Sequence, residues 1–210
     1  MMRAGSCTAS RFKDIMTKPR EKGAFWSKTA ESYMIEKVTE LRICAPLDNF
    51  TSAPTRWGTE WEEEAFKAAI PVVEKLLGKT IEKPEGKNAF IEHPTEPYIG
   101  CSPDGIIGEE GLLECKCPYN AGVHTATILA GEMPEKHEAQ TQGALWITNR
   151  KFYIFASFDP RVRASGADPL FWVRVERDEE YIQELAERVI KFRDWVLETY
   201  ARITPNHAPF

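Results

Sequence analysis

Residues 101–118 read C-S-P-D-G-I-I-G-E-E-G-L-L-E-C-K-C-P, and the fold is decided here. Two short apolar runs, 104–107 and 111–117, flank Gly108-Glu109-Glu110-Gly111, a tetrapeptide with the glycines a tight turn needs. The two runs read as a β-hairpin. Side chains alternate faces along a strand, so Glu114 and Lys116 point to one side and Cys115 and Cys117 to the other. The cysteines belong to the core, while the carboxylate and the ammonium face a cleft. Asp104 falls near one end of the hairpin, and strand stagger sets how closely it approaches Glu114.

Two carboxylates and a lysine at one point suit phosphodiester hydrolysis. Hard oxygen ligands with open positions suit Mg²⁺, which keeps waters and accepts a substrate phosphate oxygen. Such a metal polarises the phosphate and acidifies a bound water. A lysine beside that water can orient it and offset negative charge in the transition state. The competing reading is an exposed Glu–Lys pair beside a Pro-Asp-Gly turn.

Upstream of the hairpin the pattern is helical. Residues 8–17 read as a short helix. A second helix follows from Ser27, with Ala30, Tyr33, Met34, Val38 and Leu41 on one face. Residues 44–54 read as a loop between Pro46 and Pro54. Thr55 then caps a helix carrying Trp57, Trp61, Ala65 and Ala68, which Pro71 interrupts and Gly78 ends. Short runs at 80–83 and 88–92 read as strands. Downstream, helices are expected at 123–130 and 134–147 and strands at 151–158 and 170–176. Asp178 caps a last helix with Tyr181, Leu185, Val189, Phe192 and Val196 on one face. The expected class is α/β of the α+β type, a central mixed β-sheet flanked by helices, in a single domain over residues 1–210 whose basic N-terminal segment 1–30 is expected to be helical and to contribute to DNA-end binding.

The 210 residues are 42% hydrophobic and 28% charged, an ordinary globular composition. No apolar run approaches the ~20 residues of a membrane helix, and the N-terminus lacks the apolar stretch of a secretory signal. Five cysteines, an odd number, fit free thiols in a reducing cytoplasm. The net charge of −5 argues against a nucleic-acid binder at first sight. Its distribution argues otherwise. Residues 1–30 hold seven basic and two acidic side chains, a local excess of five positive charges in a chain that is acidic elsewhere. Lys13, Lys18, Arg20, Lys22 and Lys28 are therefore candidates for contacts along a DNA backbone, which give affinity without reading bases. Phe25 and Trp26 lie among them and could stack at a frayed end or pack in the core.

Several blocks resemble one family. T-A-S and K-P-R (8–10, 18–20), W-G-x-x-W-E-x-x-A (57–65), C-S-P-D-G (101–105), L-E-C-K-C-P (113–118), A-Q-x-Q (139–142), F-D-P-R (158–161) and V-E-R-D-E (175–179) occur in order. Together they resemble the lambda-exonuclease and YqaJ-type viral recombinase branch of the PD-(D/E)xK nucleases, which have a restriction-endonuclease-like core. The resemblance implies a processive, Mg²⁺-dependent 5′-to-3′ exonuclease on linear duplex DNA, in a phage or prophage, leaving 3′ single-stranded tails. It also implies a homotrimeric ring, a single-strand-annealing recombinase as partner, no membrane association, and action in the bacterial host cytoplasm. On this mapping Asp104, Glu114 and the Cys115 carbonyl hold one or two Mg²⁺ ions, with Mn²⁺ as a substitute. Lys116 serves the nucleophile, Glu62 completes or orients the metal site, and Gln140 lies near the attacking water or the scissile phosphate. Arg3, Ser10 and Ser102 fall on positions that hold a terminal 5′-phosphate, and His137 on a tyrosine position near the DNA.

The chain departs from this pattern at one place. A second phosphate arginine is expected near Gly122, yet no arginine occurs between Lys116 and Arg150; Asn120 or His124 could substitute. Three rival readings compete with this one. A silent DNA-end-binding module would not need Asp104, Glu114 and Lys116 intact. An iron–sulfur nuclease would need cysteines beyond Cys117, and there are none. A restriction-type endonuclease would cut closed circles.

Overall fold

The computed structural model describes residues 4–47 and 52–204, apart from the side chains of Lys87 and Asn88. Strand β1 (Cys7–Thr8) leads through a 3₁₀ turn into the short helix α1 (Phe12–Met16). Two helices follow, α2 (Lys28–Ile43) and α3 (Ala53–Leu77). The strands β2 (Ile81–Glu82), β3 (Ile91–Glu92), β4 (Ile99–Cys101), β5 (Gly105–Ile107) and β6 (Gly111–Lys116) come next. Helices α4 (Ala121–Ala130) and α5 (Glu138–Thr148), strands β7 (Phe152–Phe158) and β8 (Leu170–Glu176), and helix α6 (Glu179–Ile203) complete the chain.

The strands form two sheets rather than one. The larger has the order β2-β5-β6-β7-β8, with β6 and β7 parallel and the other pairs antiparallel. The smaller has the order β1-β4-β3. Its strands are two and three residues long, too short to show an alternating pattern, and β1 pairs with β4 across some ninety residues of chain. The expected hairpin is present, with Gly108 in the left-handed region at φ 52°.

Alternation along β6 decides what covers each face. Leu112 packs with Tyr153 and the aliphatic faces of α2, α5 and α6, whereas Leu113 and Cys115 pack with Phe66, Ala69 and Val73 of α3. Strand β7 is buried throughout because both faces are covered. Helix α6 buries Leu185, Val189, Phe192 and Val196 at helical spacing, and Phe192 stacks on Tyr33 of α2 with ring centroids 5.3 Å apart. The Asp178 carboxylate accepts the Tyr181 N–H at 3.0 Å, the expected cap.

Three local expectations change. Ser52, not Thr55, caps α3. Pro71 does not interrupt that helix: it sits on the exposed side while Ala65, Phe66, Ala69 and Val73 are buried across it. That continuous burial outweighs the roughly 3 kcal/mol an interior proline costs. The basic N-terminal segment is helical only over Ala9–Met16, and Lys18, Arg20 and Lys22 lie in an irregular stretch before Ser27, the cap of α2.

Candidate active site

The stagger left open by the sequence is set by the pairing of Gly105 with Leu113, which puts Asp104 one step further along, opposite Glu114. The Asp104 N–H donates to the Leu113 carbonyl at 3.1 Å, and the Cys115 N–H donates to Asp104 Oδ2 at 2.7 Å. The carboxylate is thus locked onto the backbone that carries Glu114 and Lys116.

Glu114 is 5% exposed and held by three donors. Its Oε1 accepts Gln140 Nε2 at 2.6 Å and the Lys116 ammonium at 2.5 Å, and its Oε2 accepts the Tyr153 hydroxyl at 3.0 Å. Gln140 reaches it from α5 and Tyr153 from the neighbouring strand β7. Burial opposes the charge on Lys116, but Glu114 more than offsets this and the ammonium is held above its ordinary range. Burial first, and Glu114 next, push the Asp104 carboxyl up to about 8. Two carboxylates facing each other with one ammonium are short of positive charge, and their oxygens are the hard donors a divalent cation takes. The donor set therefore fits such an ion, with Asp104, Glu114 and the adjoining Cys115 carbonyl as its candidates.

Glu62 lies on α3 close enough to raise Asp104. Among the described residues, however, no three His, Cys, Asp or Glu side chains converge on one point. Glu62 is therefore not grouped with the pair as a third side-chain ligand among the described residues.

A cavity of about 280 Å³ opens beside Glu114 and Gln140, and both Ser10 and Ser102 line it. Arg11 and Lys37 line it too, but each is already paired: Arg11 with Asp14 and Glu36, Lys37 with Glu36 and Glu40. Arg3 lies outside the described residues. Of the two suggested substitutes for the missing arginine, His124 is fully buried with Nδ1 2.8 Å from Ser157 Oγ. Asn120 is exposed: its Oδ1 caps α4 by accepting the Gly122 N–H at 2.9 Å, a bond that does not use its amide N–H donors.

On the other side of Lys116 a second cavity, about 210 Å³, is lined by Lys136, His137, Tyr119 and Phe155. Burial, then Lys116, lowers His137 to about 3, so it is a neutral imidazole at pH 7. The same shift also reflects Lys13, which brings α1 to the mouth of the site. Lys18, Arg20 and Lys22 are exposed, beyond α1; Lys18, Arg20 and Lys28 line a cavity with Trp26, and Lys28 pairs with Glu31 at 2.8 Å. Trp26 is packing, stacked on Trp195 at 5.5 Å, whereas Phe25 is 56% exposed.

Two further results go beyond the sequence reading. Gln142 is buried: its Nε2 donates to the Glu176 carbonyl at 2.9 Å and its Oε1 accepts the Asp178 N–H at 3.0 Å, tying α5 to the β8–α6 junction. The sequence marks Tyr153 only as a strand residue. A hydroxyl within the largely apolar run FYIFASF is its only signal, and Ser157 shares it.

The chain is similar to several known proteins. ExoD of Escherichia coli (strain K12) is 35% identical over 65 residues, 31% of this chain and 71% of that protein. YqaJ of Bacillus subtilis (strain 168) is 28% identical over 130 residues, covering 58% of this chain and only 38% of that protein. The crystal structure of LHK-Exo, an alkaline exonuclease from Laribacter hongkongensis also solved in complex with dAMP, superposes with a TM-score of 0.80 at 30% identity, covering 97% of this chain and 93% of that one. A phage-related exonuclease from Haemophilus somnus 129PT shares the fold, with a TM-score of 0.65 at 18% identity over 94% of this chain and 96% of that one. Residues 1–151, which carry α1 to α5 and every residue of the Asp104–Glu114–Lys116–Gln140 cluster, match the family model itself, so the chain belongs to the YqaJ-like viral recombinase domain family.

Proposed function

We propose that the protein is a deoxyribonuclease that digests one strand of linear duplex DNA processively from its 5′ end, releasing nucleoside 5′-monophosphates and leaving 3′ single-stranded tails. The observation that carries this reading is the Asp104–Glu114–Lys116–Gln140 cluster, held on a hairpin in a fold shared along nearly the whole chain with an alkaline exonuclease. That relative binds dAMP, a nucleoside monophosphate of the product class.

Asp104, Glu114 and the Cys115 carbonyl would hold Mg²⁺, or Mn²⁺ in its place, as one or two ions. Bound there, the ion supplies Lewis-acid polarisation of the scissile phosphate and a more acidic water. Lys116 directs its ammonium at the attacking water and the charge that develops on phosphorus. Gln140 and Tyr153 hold the Glu114 carboxylate in one orientation, and Glu62 adds negative potential beside Asp104. The water oxygen bonds to phosphorus, the bond to the 3′-oxygen breaks, one water proton ends on that oxygen as the 3′-hydroxyl of the released nucleotide, and the remaining strand keeps a 5′-phosphate. Ser10 and Ser102 share the cavity next to Glu114, which supports its use for that terminal phosphate. Because Arg11 and Lys37 are already paired there, charge recognition rests on Arg3. The exposed Lys18, Arg20, Lys22 and Lys28 would follow the entering duplex, and His137, being neutral, would offer a phosphate a hydrogen bond rather than a charge. A homotrimeric ring and a single-strand-annealing recombinase partner complete the reading, placing the enzyme in phage-type recombination in the host cytoplasm; no helix among the described residues is long and apolar enough to cross a membrane.

The test is Mg²⁺-dependent digestion of end-labelled linear duplexes set against closed circles. Linear DNA should be degraded, circles spared, and Glu114→Gln inactive. Cleavage of circles, or full activity in Glu114→Gln, overturns the reading.

A further inference from the structure

The block Phe158-Asp159-Pro160-Arg161 plays no part in the chemistry above, yet it forms a densely hydrogen-bonded polar cluster outside it. Asp159 is fully buried just beyond β7. Its Oδ1 accepts the Arg161 backbone N–H at 3.0 Å and Nε at 2.7 Å, and its Oδ2 accepts Nη2 at 2.8 Å. The same guanidinium donates from Nη1 to the Tyr119 carbonyl at 2.9 Å and from Nη2 to the Pro118 carbonyl at 3.0 Å. Its face lies over Trp57 of α3, 4.6 Å from the ring centroid. One side chain thus joins three pieces of the site: the end of β7, the turn that begins right after Lys116, and the helix that carries Glu62.

We propose that Arg161 is a positioning residue: it fixes the Cys117–Asn120 turn, and so keeps the Lys116 ammonium and the Cys115 carbonyl in place opposite Asp104 and Glu114. The inference rests on the nuclease reading above. Lys116 is the last residue of β6, where pairing with β7 stops. Beyond it the turn has lost its ladder, and the two carbonyls bound by Arg161 replace that restraint. The need for arginine follows from its planar fork, which serves a carboxylate and two carbonyls while stacking on an indole; an ammonium is a point donor without that geometry. The charge balance also closes, because Asp159 neutralises the guanidinium and the half-exposed Arg161 side chain needs no further counter-ion. The neighbouring Arg163 pairs instead with Glu64 at 2.8 Å, away from the turn, and serves as the control.

The experiment compares steady-state digestion of an end-labelled linear duplex by wild type, Arg161→Ala, Arg161→Lys and Arg163→Ala, with rates corrected for the folded fraction read by circular dichroism. Arg161→Ala should lose kcat by about 10- to 100-fold, the scale set by misplacing a reacting group by an ångström or less. Its KM for DNA should stay within about twofold of wild type. Arg161→Lys keeps a partner for Asp159 and should fold while recovering only part of the rate. Guanidinium ion at sub-denaturing concentration should raise the rate of Arg161→Ala and not that of wild type. Arg163→Ala should match wild type. The proposal is overturned if corrected kcat is unchanged in both Arg161 variants, or if Arg163→Ala loses as much as Arg161→Ala. Absence of metal-dependent digestion by wild type overturns the nuclease reading and the positioning role together, whereas an active wild type with an equally active Arg161→Ala overturns the positioning role alone.

Discussion

Replacing Asp104 with asparagine should make the metal-free protein more stable while destroying its activity. An aspartate in an unfolded chain titrates near 4, whereas burial and then Glu114 push this one up to about 8. The folded state therefore keeps a proton that the unfolded state gives up between those values. The corresponding stability is fully present below about pH 4, falls as pH rises, and is gone above about 8. At about 1.4 kcal/mol per pH unit across that window, the loss amounts to several kcal/mol. Asparagine keeps an oxygen to accept the Cys115 N–H but carries no charge, so its stability should not follow this slope. Urea melts of chelator-treated protein at pH 4, 6 and 8 measure the difference. Wild type and variant should coincide at the lowest pH. The variant should be ahead by several kcal/mol at the highest, a Tm difference on the order of 10 °C for a chain of this size. Millimolar Mg²⁺ at pH 8 should stabilise the wild type through binding to its folded state, and leave the variant unmoved. Parallel pH profiles for the two proteins, or equal stabilisation by Mg²⁺, would refute the reasoning.

Tyr153→Phe removes one donor to Glu114 with little change of shape, and should lower kcat about tenfold with unchanged DNA affinity; an unaltered rate would show that Gln140 and Lys116 suffice. Neutralising Lys18 and Arg20 should weaken DNA binding for all sequences alike and lower the salt slope by about one per charge; an unchanged slope puts them away from the DNA. Gly143→Ala would set a Cβ 2.4 Å from Cδ2 of the fully buried Phe12, between α5 and α1. Overpacking there should cost about 1–3 kcal/mol in urea melts, and a neutral result would mean that α1 shifts freely. Rates on 5′-phosphorylated ends should exceed those on 5′-hydroxyl ends, and Arg3→Ala should erase the difference; equal wild-type rates would show that the arginine absent near Gly122 is essential to the preference.

Net charge was a poor guide to function because it sums over the chain. Seven basic side chains in the first thirty residues are diluted by acids elsewhere, and some of those acids, Asp104 and Glu114, lie in the candidate site.

The sequence by itself determined whatever depends on local period and on chemistry between near neighbours. The Gly108–Gly111 turn, the alternation that separates Glu114 and Lys116 from Cys115, and the stripe of Leu185, Val189, Phe192 and Val196 on α6 all follow from geometry repeated every two or 3.6 residues. Only the tertiary structure decided which side chains meet. Gln140 and Gln142 are two positions apart on α5 and so face different directions, one toward Glu114 and the other toward the start of α6. Nothing local ranks one above the other. Tyr153 reaches Glu114 across 39 residues, and Arg161 reaches Tyr119 across 42, through the parallel pairing of β6 and β7. A parallel register is closed by a crossover rather than by a turn, so it leaves no short-range signature. It is selected by burial on both faces of the sheet at once, a property of the packed molecule and not of any segment in it.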